Sequence, residues 1–278
     1  MQIGIFSKTF VRIGLDVVLD AIDAHGLTSV QFNLSSAGLP TDMPATLDAA
    51  TCDWIRNELA TRQITMSAIS GTYNMIHPDP QQRQAGLDQL RLLASYCSRL
   101  GTRLITLCTG TRDPQSMWRW HADSYLPDAW QDLTTEMAKA LEIAEKYGVT
   151  LGIEPEVSNV VDSAQRARRL LDEMRSPNLK IVMDGANLFH QGELPRMREL
   201  LDEAFDLLGA EITLVHAKDL LRDGEAGNVA AGTGLLDYDH YIHLLRANGY
   251  QGALILHSLA ESQVAASVQF LRSKLASK

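Results

Sequence analysis

The sequence predicts an α/β fold in which a single domain of 278 residues forms a (β/α)8 barrel. Short apolar runs recur eight times along the chain, segments with helical spacing of apolar residues lie between them, and glycines stand at the expected helix ends. Alternating strands and helices indicate a parallel sheet, and eight such units close into a barrel. The predicted strands span residues 2–6, 29–34, 65–70, 103–108, 150–154, 180–184, 211–216 and 253–257.

The segments between the strands repeat apolar residues at every third or fourth position, as expected for a helix with one buried face. Such patterns occur at residues 15–22, 87–100, 137–144, 170–174, 200–208 and 241–245, and residues 263–278 are predicted to form a closing helix. We expect left-handed helix-ending conformations at Gly26, Gly101, Gly148, Gly209 and Gly249. An open doubly wound sheet is the structural alternative, but the first strand is not followed by a G-x-G-x-x-G turn.

The composition restricts the partners and the compartment. A formal net charge of −9 disfavours a nucleic-acid surface, which needs clustered basic residues. Cys52, Cys97 and Cys108 form no C-x-x-C motif, so we expect buried free thiols in a reducing cytoplasm. The first residues do not resemble a signal peptide, and no apolar run is long enough to predict a membrane helix. We therefore expect a soluble cytoplasmic protein with no membrane or nucleic-acid partner, and a homo-oligomer is possible.

Ionisable residues end four successive predicted strands: Glu154, Asp184, His216 and His257. The carboxyl ends of barrel strands meet on one face, where active sites of this fold are built. Each residue alone has a structural interpretation, either as a helix cap or as a hydrogen-bonded core residue. Together, two carboxylates and two imidazoles predict a site for a divalent metal such as Mn²⁺, Mg²⁺, Zn²⁺ or Co²⁺.

Three motifs resemble the xylose isomerase-like TIM barrel superfamily, and in particular its D-tagatose 3-epimerase branch. They are Leu-Gly-Ile-Glu-Pro at 151–155, Met-Asp-Gly-Ala-Asn at 183–187 and Leu-Val-His-Ala-Lys-Asp at 214–219. The resemblance implies carbohydrate metabolism, with a metal held by a Glu, an Asp, a His and a second Glu. These positions fall on Glu154, Asp184, His216 and His257, so His257 departs from the family pattern.

The resemblance also implies substrate-binding residues. Asn187 stands where the family has a substrate-binding histidine, and Arg222 matches a substrate-binding arginine six residues after the metal histidine. The loops after the third and fourth strands add candidates for binding a sugar. Trp118 or its neighbour Trp120 can stack on a sugar ring, Arg112 can bind a carboxylate or phosphate, and His77 or His121 can bind a hydroxyl. A loop packed by its own aromatic side chains is the alternative interpretation.

The resemblance implies isomerisation or epimerisation of a small sugar through an enediolate. In that reaction a base removes a proton beside a carbonyl while the metal stabilises the developing oxygen charge. Glu154 is the candidate base, Lys218 the candidate acid or electrostatic clamp, and His257 a candidate proton shuttle. Because the second glutamate is missing, a lyase or dehydratase that forms the same enolate is a serious alternative. An apurinic endonuclease and a non-catalytic sugar-binding barrel are less favoured.

Overall fold

The computed structural model describes residues 1–276, which form a closed barrel of eight parallel strands. The barrel strands are β1 (Gln2–Phe6), β2 (Ser29–Phe32), β3 (Thr65–Ser70), β4 (Leu104–Leu107), β5 (Thr150–Ile153), β6 (Leu179–Asp184), β7 (Ile212–Asp219) and β9 (Ala253–Leu256). Strand β1 pairs with β2 on one side and β9 on the other, and the β6–β7 and β7–β9 pairings complete the ring. This closure confirms the predicted barrel and excludes the open sheet.

Helices surround the barrel, and their apolar faces pack against the strands. They are α1 (Leu15–Ala24), α2 (Ala49–Thr61), α3 (Pro80–Leu100), α4 (Pro127–Tyr147), α5 (Ala164–Met174), α6 (Met197–Leu208), α7 (Tyr238–Ala247) and α8 (Val264–Ala276). Helix α2 is absent from the helical patterns identified in the sequence, because it buries only Cys52, Ile55 and Leu59. The predicted closing helix is α8, although residues 277 and 278 lie outside the described residues.

Strand β7 differs from its predicted bounds. It runs on to Asp219 because a short strand, β8 (Val229–Ala230), pairs with it antiparallel, with Lys218 opposite Ala230. The extension fixes the backbone that carries Lys218 at the carboxyl end of the barrel. The expectation for Gly209 was wrong: its φ is −52°, and the chain continues from it into a 3-10 turn.

Two apolar layers lie inside and outside the sheet. The larger one fills the space between the strands and the helices. A separate cluster lies within the barrel and consists of Phe6, Ala68, Leu104, Val182, Leu214, Ala253 and Ile255. The three cysteines are free and buried, as predicted. Within residues 1–276, no helix combines the length and the apolar character needed to cross a membrane.

Candidate functional site

The four predicted strand-end residues converge at the carboxyl end of the barrel. Asp184 ends β6 and lies opposite His216 in the register of β7, while Glu154 and His257 follow β5 and β9 directly. Potential ligand atoms of Asp184, His216 and His257 all lie within 4.8 Å of one another. Glu154 is outside that triad but beside it, since its Oε1 is 3.2 Å from Nδ1 of His216.

Two buried atoms in this cluster have charged neighbours but no aligned hydrogen bond to any described residue. Among residues 1–276, neither Oδ2 of Asp184 nor Nδ1 of His216 has an aligned hydrogen-bond partner. Buried polar atoms are nearly always satisfied, so such atoms at one place indicate a ligand. One carboxylate oxygen and two imidazole nitrogens are suitable donors for a divalent transition metal. The residues of the triad therefore fit the metal that the sequence predicts.

Lys218 places a positive charge beside the triad. Its Nζ lies 3.3 Å from Oδ2 of Asp184, and both side chains are buried. Burial acts to raise the pKa of Asp184, but the charges of Lys218 and His216 outweigh it and hold that pKa well below its usual range. Burial also acts to lower the pKa of Lys218, but the neighbouring carboxylates, Asp184 foremost, raise it. Lys218 is therefore an ammonium at neutral pH.

The pKa values of His216 and His257 are shifted in opposite directions. Burial disfavours the charged form of both, but Glu154 and Asp184 overcome it at His216 and raise the pKa of that imidazole to about 9. The pKa of His257 is lowered well below its usual value, by burial and then by the positive charges of Lys218 and His216. His257 is consequently neutral at neutral pH. Its ring stacks on Phe6 at a centroid distance of 4.4 Å.

The two oxygens of Glu154 have different surroundings. Oε1 accepts a hydrogen bond of 2.7 Å from Nδ2 of Asn187 and lies next to His216. Oε2 is approached by the thiol of Cys108 at 3.8 Å, which is a weak donor. Oε2 is therefore the oxygen of Glu154 that is more available to bind a proton.

Glu156, two residues farther along, is also buried. It accepts hydrogen bonds from the backbone N–H of Ser158, at 3.0 Å, and from Nδ2 of Asn159. Glu156 therefore caps the loop that follows β5. Burial raises the pKa of its carboxyl group, despite the opposing hydrogen bond from Ser158.

A cavity of about 490 Å³ opens above the cluster, within the size range of small-molecule sites. Its floor includes Glu154, Asn187, Lys218 and His257. Its mouth is formed by loop residues from several strands, namely Lys8, Asp42, Trp118, Asn228 and Ser258. Asn187, Lys218, His257 and Trp118 were all predicted from the sequence to reach a substrate, and the structure brings them to one space.

Three other predicted substrate residues lie outside this cavity lining. Arg112 is 2.8 Å from Oδ2 of Asp132 on α4 and donates to the carbonyl of Ile76 at 3.1 Å, so it ties two loops to a helix. Nδ1 of His77 accepts from the backbone N–H of Asp79, and Nδ1 of His121 accepts from that of Asp123. These contacts give the three side chains local structural partners.

Arg222 also lies outside the cavity lining. It is exposed and forms an ion pair with Glu225, three residues later, at 2.7 Å. In this conformation its guanidinium group has a carboxylate partner at the protein surface. A substrate-binding role for Arg222, as for the three loop residues, stays a prediction.

Sequence reasoning did not single out several residues that line the cavity, including Phe6, Gln31, Ser70 and Thr106. Gln31 carried a usable signal. It lies between Ser29 and Asn33 in an otherwise apolar strand, and this alternation places three polar residues on one face. Lys8 and Asn228 carried no such signal, because both lie in segments that follow a strand, and the path of these segments is set by tertiary structure.

Comparison with known proteins gives one family and many similar folds. A family model described as xylose isomerase-like TIM barrel matches residues 19–274. A D-tagatose 3-epimerase-like protein superposes with a TM-score of 0.77 at 15% identity, covering 99% of this chain and 97% of that one. A probable 3-DHS dehydratase from Bacillus anthracis gives 0.74 at 16% identity, covering 98% and 99%. The IOLI protein, crystallised with a zinc atom, gives 0.72 at 16% identity, covering 99% and 96%.

Proposed function

Because this chain belongs to the xylose isomerase-like TIM barrel family, we propose that it is a divalent-metal-dependent isomerase or epimerase of a small sugar or sugar derivative. One observation carries the proposal. At the floor of a cavity, Glu154 stands beside the triad, in which the buried atoms Asp184 Oδ2 and His216 Nδ1 lack an aligned hydrogen-bond partner in the described part of the chain. The epimerase-like neighbour and the zinc-containing neighbour have the same fold.

The residues at the floor of the cavity can take separate roles in proton transfer. Asp184, His216 and His257 would hold the metal, with Glu154 alongside; when bound, the metal supplies a Lewis acid that polarises the substrate carbonyl. Glu154 removes the proton from the adjacent carbon, and Oε2 is its less engaged oxygen. The ammonium group of Lys218 stabilises the oxygen on which negative charge develops.

Asn187 and Trp118 are suited to holding the substrate. Nδ2 of Asn187 orients Glu154, while its buried Oδ1 has no hydrogen-bond partner within residues 1–276 and can accept from a sugar hydroxyl. Trp118 is 56% exposed at the cavity mouth, so its indole face is free to cover an apolar face of the sugar. Neither role requires movement of the barrel.

A lyase or dehydratase acting through the same enolate is the second candidate. The observation that favours it is His257, which occupies the fourth strand end where the resemblance calls for a second carboxylate. Proton exchange on both faces of the substrate carbon needs two bases, whereas elimination through the enolate needs only one, which Glu154 supplies. The dehydratase among the structural neighbours has the same barrel.

Incubation in deuterated water with Mn²⁺, Mg²⁺, Zn²⁺ or Co²⁺ tests the two candidates on a panel of ketoses and keto-sugar derivatives. An isomerase or epimerase incorporates deuterium at one carbon beside the carbonyl and gives a product of unchanged composition. A dehydratase instead accumulates an unsaturated product that has lost water. If no compound in a broad panel exchanges or reacts, and no divalent metal binds, the proposed function is wrong.

Metal binding should depend on pH through His216. In the metal-free protein its pKa is raised to about 9, so the ring carries a second proton at neutral pH, and this proton must leave when a metal binds. We expect the apparent affinity for Mn²⁺ to rise up to about tenfold per pH unit between roughly pH 7 and pH 9, and to level off above. Calorimetry in two buffers of different ionisation enthalpy should count about one proton released at pH 7.5. Release of no proton would contradict this assignment.

A further inference from the structure

Gln31 is a buried polar residue in the interior of the barrel, below the triad. It lies on β2, and all four residues of that strand are buried. A primary amide carries two N–H donors and a carbonyl acceptor, and each of these costs free energy if it is buried without a partner. Gln31 is 2% exposed, so its hydrogen bonds decide whether the position is tolerable.

All of these groups have partners on other strands. Nε2 of Gln31 donates to Oγ of Ser70 on β3 at 3.0 Å and to Oγ1 of Thr106 on β4 at 2.8 Å. Its Oε1 lies 2.8 Å from Nε2 of His216 on β7. Two donors meet two hydroxyl oxygens and the acceptor meets the imidazole, so this network defines the orientation of the amide.

The bond to His216 has a consequence for the opposite side of the ring. A neutral imidazole has one N–H and one lone pair, and a carbonyl oxygen as partner requires the N–H to be on Nε2. The lone pair is then on Nδ1. That nitrogen faces Oε1 of Glu154 at 3.2 Å and Oδ2 of Asp184 at 3.7 Å.

We propose that Gln31 is a positioning residue that holds His216 as its Nε2–H tautomer and presents Nδ1 to the metal. The hydroxyl groups of Ser70 and Thr106 in turn hold the Gln31 amide. The orientation of the His216 ring therefore depends on residues of β2, β3 and β4. The inference rests on the proposed function, because it takes His216 as a metal ligand. Groups that orient a ligating histidine typically change metal affinity by about 10–100-fold when they are removed.

Three variants test this role by zinc affinity, measured by competition with a chromogenic chelator. Gln31→Met keeps the length and burial but removes the acceptor, and should weaken zinc binding by about 10–100-fold. Gln31→Glu keeps an acceptor for Nε2–H and should retain most of the affinity. Ser29→Ala is the matched control, because it removes another hydrogen bond on the same face of β2, the partly buried 2.6 Å contact with Ser67, away from the triad.

Nitrogen-15 NMR of the zinc-bound wild-type protein provides a readout that does not depend on any variant folding. The His216 signals, identified by their absence in His216→Asn, should show zinc at Nδ1 and a proton at Nε2. Zinc at Nε2, or Gln31→Met that binds zinc like wild type, overturns the inference while the proposed function stands. Wild-type protein that binds no divalent metal at these residues instead overturns the proposed function itself.

Discussion

Replacing Glu154 by glutamine should lower kcat by about 10²–10⁴-fold while the fold is retained. Glutamine keeps the shape of the side chain and an oxygen for the 2.7 Å hydrogen bond from Asn187. It cannot take a proton from carbon, because an amide is not basic at neutral pH. The loss should appear in kcat and in deuterium exchange at the substrate carbon, with a smaller change in KM.

The matched control for this variant is Glu145→Gln. Glu145 is an exposed residue of α4, and its substitution makes the same change in charge far from the cavity. It should leave kcat within about twofold of wild type, as expected for a surface substitution. Near-normal exchange by Glu154→Gln would remove Glu154 as the base. Urea unfolding of both variants separates lost chemistry from lost stability.

The barrel could be predicted because its main signal is local. Each strand is a short apolar run followed by a helical pattern, and parallel pairing of such units allows few topologies. The extension of β7 beyond its predicted end is set by a distant partner. Strand β7 extends to Asp219 because Val229 and Ala230 return to pair with it, and no local pattern in residues 212–219 encodes that contact.

The site was predictable where it depends on strand ends and less so where it depends on loops. Asp184 and His216 are adjacent in register, so their convergence follows from the fold alone. Arg112 was a plausible anion-binding residue by type, but its guanidinium pairs with Asp132, which follows it by 20 positions on α4. Whether a loop cation points to a cavity or to a helix depends on packing, which residue type does not encode.

His257 shows how physical context changes the meaning of a sequence position. The resemblance assigns a carboxylate to this strand end, and the imidazole that replaces it is neutral because of burial and nearby positive charge. With a second carboxylate replaced by a neutral group, the site keeps Glu154, Asp184 and the positive charge of Lys218. This site therefore carries less negative charge than a site with the family's second carboxylate. Among the carboxylates that remain, Asp184 acts most strongly on the ammonium group of Lys218.

Replacing Asp184 by asparagine should therefore affect both metal binding and the stability of the metal-free protein. The affinity for a divalent metal should fall by at least about 100-fold, because a charged ligand becomes a neutral amide. Without metal, the buried ammonium group of Lys218 loses the carboxylate that lies 3.3 Å away. Removal of one partner from a buried ion pair typically costs about 3–5 kcal/mol in the free energy of unfolding, and the remaining charges of Glu154 and Glu156 favour the lower end.

The pKa shift of Asp184 gives the pH at which this loss should be seen. Its pKa is held below the unfolded value of 3.8, so the carboxylate contributes its full stability above that value and loses it as the pH falls further. Urea unfolding at pH 7 with a chelator should then show the full difference between wild type and Asp184→Asn. The double variant Asp184→Asn with Lys218→Met removes both charges and should regain most of the lost stability. If the double variant is no more stable than Asp184→Asn alone, the ion pair does not account for the loss of stability. In a separate assay, recovery of turnover by Asp184→Asn at high metal concentration would support the role of Asp184 in holding the metal.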